Sequence, residues 1–333
     1  MSGRPGRVVS ATLLAAMVAS PVTVGAQSPS RPYRVAIVEF PALPSPPPPS
    51  PRLELFKSAM RELGWTEGQR FVVERRAGDR DRLDELAAAV VRERPALILT
   101  VGTATTLAAK KATSTIPIVM VGSSDPVASG IVENLSRPRG NVTGLSLASV
   151  DVMAKRLDLL KSAVPRSKRI ALVLPAGAGS PNAAAWIKES ETAARALGVK
   201  LHVARVDVAA PWDTTFSALR SEGVDALVVT ENPRWTAQSR EIAAAALKHR
   251  LPSIAAARVY VDKGGLMSYG ADLDDLWRHA ASLVDKILRG ANPGDLPVEE
   301  PTKFELALNL GTAKALGIEV PAALRLRATA VVE

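Results

Sequence analysis

The sequence contains no cysteine. That excludes disulfides, thiol nucleophiles, Cys-ligated zinc or iron–sulfur centres, and lipid attachment through an N-terminal cysteine. Its three histidines, His202, His249 and His279, are too far apart for any metal-ligand spacing, so no metal is expected. Aromatic residues make up only 4% of the chain. The net charge is +9 over 333 residues, but the basic residues are scattered among acids and never form a run interleaved with aromatics. No nucleic-acid partner follows from that pattern. The phosphate loop G-x-x-x-x-G-K-[ST], the zinc helix H-E-x-x-H and the nucleophile elbow G-x-S-x-G are all missing. The segment from Gly177 to Asn182 comes nearest to a dinucleotide fingerprint. It lacks the final glycine, carries Pro181 in the turn and has no acidic partner about 20 residues on. No cofactor is expected, and no pair of acids stands out as an acid/base couple, so the chain does not read as an enzyme.

What is present is enough hydrophobic material, 47% of the residues, to build two domains with cores of their own. Residues 1–26 have the grammar of a secretory signal. Arg4 and Arg7 precede an apolar stretch over 8–19 that is too short to span a bilayer, and Val24-Gly25-Ala26 fits a small-residue cleavage site. Cleavage after Ala26 and a soluble periplasmic protein are therefore expected. Residues 41–51, with Pro46–Pro49 consecutive, read as a stiff polyproline II loop.

The organising stretch is 97–126, LILTVGTATTLAAKKATSTIPIVMVGSSDP. Two short apolar runs, 97–101 and 118–121, each stop at a glycine followed by hydroxyl residues. Such runs, bounded by Gly and Pro, read as buried strands of a parallel sheet, and ligands bind beyond the carboxyl ends of such strands. Gly102, Thr103, Thr105, Ser123, Ser124 and Asp125 are thus candidate ligand residues, with a helix starting near Thr105 aiming its first amides at the same place. The same residues also suit ordinary capping and turn roles, and both readings of Asp125 stay open.

In chain order, strands are expected at 34–40, 71–74, 97–101 and 118–121, with helices at 52–63 and 82–93, the latter capped by Asp79 or Asp81. Residues 136–144 read as a crossover. A second series follows: helices at 151–164 (capped by Ser149), 183–197, 213–222 and 235–249, and strands at 169–174, 200–206, 226–230 and 253–256. Residues 266–269 read as a link between glycines, 273–289 as the longest helix, 303–309 as the last strand and 312–316 as the last helix. The alternation predicts doubly wound parallel sheets.

The stretches RELGWTEGQRFVVERRAGDRDRLDELAAAVV, SRPRGNVTGLS, KHRLPSIAAARVYVDKGGLMSYGADL and LPVEEPTKFELALNLGTAKALGIEVP, together with 100–126, resemble exported ABC-transporter substrate-binding proteins of the tryptophan/tyrosine-type family. That resemblance implies an α/β fold of two doubly wound lobes joined by a three-crossing hinge, like type I periplasmic binding proteins. It divides the chain into lobe one (31–144 plus 269–297) and lobe two (145–268 plus 298–333). It also implies a monomer that captures an amino acid or related organic anion and hands it to an ABC permease in the inner membrane. An exported enzyme or a ligand sensor on the same fold is the alternative. Cleft contacts are implied at Phe40, Gly102, Thr103, Ser123 and Asp125, and near Asn182, Asn232 and Arg258 to Tyr260. The chain departs from the family where a Trp-Asn-Pro-like turn is usual, reading Pro175-Ala176-Gly177. It departs again at Ala256-Ala257, where a Tyr-Gly-like pair is usual. Lost aromatic faces weaken the case for an aromatic ligand, and Arg234 favours a more anionic one.

Overall fold

The computed structural model describes Met1, Gly3 and residues 31–40, 48–177, 182–207 and 209–333. Apart from Met1 and Gly3, the segment expected to be an export signal lies outside the described residues, as does most of the proline-rich segment. The rest forms two lobes, each built on its own sheet. The first sheet joins β1 (Tyr33–Glu39), β2 (Phe71–Ala77), β3 (Leu97–Val101), β4 (Ile118–Ser123) and β5 (Val142–Ser146) in the order β2-β1-β3-β4-β5, all parallel. The second joins β6 (Arg169–Pro175), β7 (Lys200–Val206), β8 (Ala226–Val229), β9 (Ser253–Ala255), β10 (Met267–Ala271), β11 (Phe304–Asn309) and β12 (Ala330–Val332) in the order β12-β11-β10-β9-β8-β6-β7.

Helices cover both faces of each sheet, which is why the central strands are apolar throughout rather than alternating; Leu97, Ile98 and Leu99 are all fully buried. In lobe one, α1 (Pro51–Glu62) starts where the Ser50 side chain accepts the Leu53 amide and Pro51 presets the first turn. It packs with α10 (Leu273–Leu288), launched by the Asp272 carboxylate accepting the Asp274 and Asp275 amides. The apolar face of α10, including Leu276, Ala280 and Val284, joins Val35, Leu97 and Phe56 in one core. α2 (Leu83–Arg92) and α3 (Thr103–Ala112) lie on the opposite face. In lobe two, α4 (Met153–Ala163), α5 (Ala183–Ala196), α11 (Leu310–Leu316) and α12 (Ala322–Arg327) share one core. The other face is covered by α6 (Trp212–Ser221), α7 (Pro233–Ala237), α8 (Ser239–Lys248) and α9 (Val259–Asp262).

The chain passes between the sheets at 147–152, at Asp272 and at 300–303. The first and third passages begin side by side: the Ser146 amide donates to the Glu299 carbonyl and the Glu299 amide to the Gly144 carbonyl, both at 2.9 Å.

Several elements differ from the sequence reading. The end of the 136–144 segment is not a crossover but the start of β5, hidden by a glycine and an Asn-Val-Thr that look like loop. Residues 266–269 are not a link but most of β10, paired on both sides. The sheet of lobe two is mixed, because β11 runs antiparallel to β10. The single helix over 235–249 is two, α7 and α8, meeting at Gln238. β12 and α12 follow the expected last strand and helix, adding a short edge strand and a cover for the core. Ser149 does not cap α4; its hydroxyl donates to the Ser124 carbonyl. Neither acid caps α2: a 3₁₀ turn, Arg80–Arg82, precedes it, and Asp79 before that turn makes no side-chain capping bond.

Candidate functional site

In both sheets the strand order reverses between the first strand and its neighbours, at β1/β3 and at β6/β8. The carboxyl ends at these two switch points face one cavity of about 340 Å³, walled by both lobes.

Lobe one supplies the turn from β3 into α3. Gly102 sits there at φ +88°, a conformation that penalises any side chain. The Thr105 hydroxyl donates to the Val101 and Gly102 carbonyls at 2.8 and 2.9 Å, and Thr106 donates to Gly102 at 2.8 Å. These bonds fix the turn, so the first amides of α3, which have no intrahelical acceptor by geometry, open on the cavity. The Thr103 hydroxyl lies 3.2 Å from that of Ser123 and accepts the Ser124 amide at 3.1 Å, stitching this turn to the end of β4. Phe40, Gly122 and Ser124 complete the wall on this side, with Arg52 and Arg80 at its edge.

Lobe two supplies Asn182 at the start of α5 and the Thr230-Glu231-Asn232 turn after β8. The Asn232 carboxamide oxygen is used to cap α7, accepting the Arg234 and Trp235 amides. Arg156, 1% exposed, reaches the wall from α4. It donates through Nη2 to Glu231 Oε1 at 2.5 Å and through Nε to the Tyr269 carbonyl at 2.7 Å. Three polar atoms in this wall have no partner among the described residues: Glu231 Oε2, Asn182 Oδ1 and Trp235 Nε1. A buried polar atom without a partner costs roughly 1–3 kcal/mol, so a cluster of three marks a place built for something else. Tyr260 lines the cavity too. Its hydroxyl, 2.6 Å from the Ser253 hydroxyl, is pushed up to about 12, chiefly by burial.

Of the residues singled out in the sequence, Phe40, Gly102, Thr103, Thr105, Ser124, Asn182, Asn232 and Tyr260 lie around this cavity. Ser123 is buried just behind the wall. Arg258 lies elsewhere, donating to Glu305 at 3.0 Å, a bond that holds its proton more tightly than usual. Asp125 lies in a separate, smaller hollow, where its Oδ1 accepts the Val127 and Ala128 amides at 3.0 and 2.9 Å. Asp125→Ala is therefore expected to lower stability by about 0.5–1.5 kcal/mol. Asp125→Asn, which keeps the acceptor oxygen, should melt close to the parent. Ligand affinity should be unchanged in both, as read by calorimetry; a large loss of affinity would return Asp125 to the ligand site. Arg156 and Glu231 had no sequence signal beyond a helical arginine and an acid in a turn.

Among the described residues, no group of His, Cys, Asp or Glu is arranged to hold a metal, and no helix is long and apolar enough to cross a membrane.

The family model for ABC transporter substrate binding proteins matches residues 51–332. A tyrosine-binding protein of Clostridioides difficile (strain R20291) is 26% identical over 267 residues, covering 79% of this chain and 76% of that protein. Among solved structures, a conserved domain protein from Vibrio cholerae is 27% identical with a TM-score of 0.79, covering 90% of this chain and 100% of that one. An ABC domain from Streptococcus pneumoniae in complex with L-Trp has the same TM-score at 22% identity, covering 91% of this chain and 100% of that one.

Proposed function

Because the chain belongs to the ABC transporter substrate-binding protein family, we propose that it captures an amino-acid-like solute between its lobes and delivers it to the permease of an ABC importer. The observation that carries this reading is the cavity at two converging switch points, with wall groups from both lobes. A solute held there touches both lobes only when they are closed, and that differential contact shifts the open–closed equilibrium. The names of the relatives, one binding tyrosine and one holding L-Trp, support an amino-acid-like ligand. The moving bodies are residues 31–146 with 272–299, and 147–271 with 300–333. The protein works as a periplasmic monomer after removal of residues 1–26.

Melting of the protein against amino acids, organic acids, sugars and nucleosides tests this. Ligand at about a hundred times its dissociation constant should add about 2.7 kcal/mol, and small-angle scattering should show a smaller radius of gyration. A ligand that is consumed rather than retained, or an unchanged radius at saturation, would count against a transport receptor.

A further inference from the structure

Arg234 stands in α7 between two wall residues, Pro233 and Trp235, yet is itself no part of the cavity wall. From the sequence alone it favours an anionic ligand. The structure instead turns its guanidinium across the cleft, with Nη2 3.9 Å from Asp79 Oδ1 of the other lobe. The Asn232 side chain accepts the Arg234 and Trp235 amides and so fixes the backbone that carries this arginine. Among the described residues, neither the Asp79 nor the Arg234 side chain makes an ion pair within its own lobe. Residues 41–47 and 178–181, PALPSPP and AGSP, contain no ionisable side chain and offer no other counter-charge. Ion pairs such as Arg34–Glu74 and Arg258–Glu305, by contrast, each close within one lobe.

The place of this pair suits it to act on closure. Asp79 follows β2, at one edge of the first sheet, whereas the passages at 147–152 and 300–303 start beside β5, at the other edge. Four strand spacings separate the two edges, about 19 Å. A turn of about 3° over that arm carries the Asp79 edge about 1 Å. That movement would bring the pair from 3.9 Å to a direct charge-assisted bond of about 2.8 Å. Opening returns both groups to water, so their attraction belongs to the closed form. We propose that Asp79 and Arg234 form a latch across the mouth of the cleft, opposite the hinge, which biases the lobes toward closure and slows release of the solute. This rests on the lobe closure proposed above and assigns to it a residue pair that sets its equilibrium. Arg234 then acts on the solute through closure and not by contact. The side chains are 36% and 56% exposed, for Arg234 and Asp79, which keeps the attraction small, so the latch tilts the equilibrium without locking it.

Because the chain has no cysteine, spin labels attach only where one is introduced. Labels on Ser114→Cys in lobe one and Ser217→Cys in lobe two, both exposed positions, report the interlobe distance of ligand-free protein by double electron–electron resonance. Asp79→Arg and Arg234→Asp each set like charges across the cleft and should lower the ratio of closed to open protein by about two- to fivefold. The double variant, with opposite charges restored in reverse, should recover the ratio. Raised salt should bring the four proteins together. Identical distance distributions in all four at low salt, including no closed population in any, would overturn the latch and leave the receptor reading in place. Weaker binding of L-tyrosine or L-tryptophan by Arg234→Asp, with ligand-free distances unchanged, would return Arg234 to the ligand and overturn the latch as well. Distances that follow the charges in a protein that binds no amino acid would support the latch and count against the amino-acid reading alone.

Discussion

Arg156→Met is expected to lower the free energy of unfolding by about 3–5 kcal/mol, as for loss of one member of a buried ion pair. Arg156 is 1% exposed and makes three contacts: the Glu231 carboxylate, the Tyr269 carbonyl and, at 3.4 Å, the Met153 sulfur. Methionine fills much of the same space but satisfies neither oxygen. Glu231 would then keep two unpartnered oxygens in a side chain that is only 13% exposed, instead of one. Removing both charges, as in Arg156→Met with Glu231→Leu, should recover much of the loss, since a buried pair replaced by apolar groups is often near neutral. Urea unfolding of the single and double variants measures the difference. A double variant no more stable than Arg156→Met would show that the pair contributes through packing and not through charge.

Gly144→Ala should cost about 3 kcal/mol or more, combining backbone strain with overpacking. Gly144 has φ +140°, and a Cβ there would stand 2.1 Å from the Met120 carbonyl oxygen and 2.5 Å from the Met120 nitrogen. Both are backbone atoms of β4, which cannot move aside without opening the β4–β5 ladder. Gly140 provides the control. It also has positive φ, +65°, but nothing lies within 4 Å of its Cβ position. Gly140→Ala should cost only the left-handed strain of about 1–2 kcal/mol. Equal midpoints for the two variants in urea would mean that the ladder gives way cheaply.

The sequence made the strand ends of lobe one legible because apolar runs stop there at glycines that the turns require. β3 and β7 fall where the pattern places them, and the β3–α3 turn is the one the hydroxyl cluster suggested. The failures have physical causes. β10 was obscured by its glycines, yet Gly270 is needed there because a Cβ would meet the Ala256 carbonyl at 2.2 Å. The break between α7 and α8 has no sequence mark: Asn232 and Pro233 start α7, and nothing at Gln238 announces its end. In the site, the hydroxyls of lobe one were visible, whereas the Arg156–Glu231 pair was not. The two residues lie 75 positions apart, and a helical arginine usually lies on a solvated face. Asp125 is the one acid in its stretch, and its Oδ1 accepts two backbone amides, a turn role that the sequence could not tell from a ligand role.

The pairing of Glu299 with Gly144 and Ser146 has a mechanical consequence. Two of the three connections leave lobe one as a hydrogen-bonded ribbon. Such a ribbon flexes readily out of its own plane and resists sliding within it. A pair of bodies joined by this ribbon and one further tether at Asp272 keeps few of its relative degrees of freedom. Because these bonds hold the two connections side by side where they leave lobe one, they set one line about which the proposed closure turns. In the proposed closure, a solute held between the lobes would then meet the same wall groups each time.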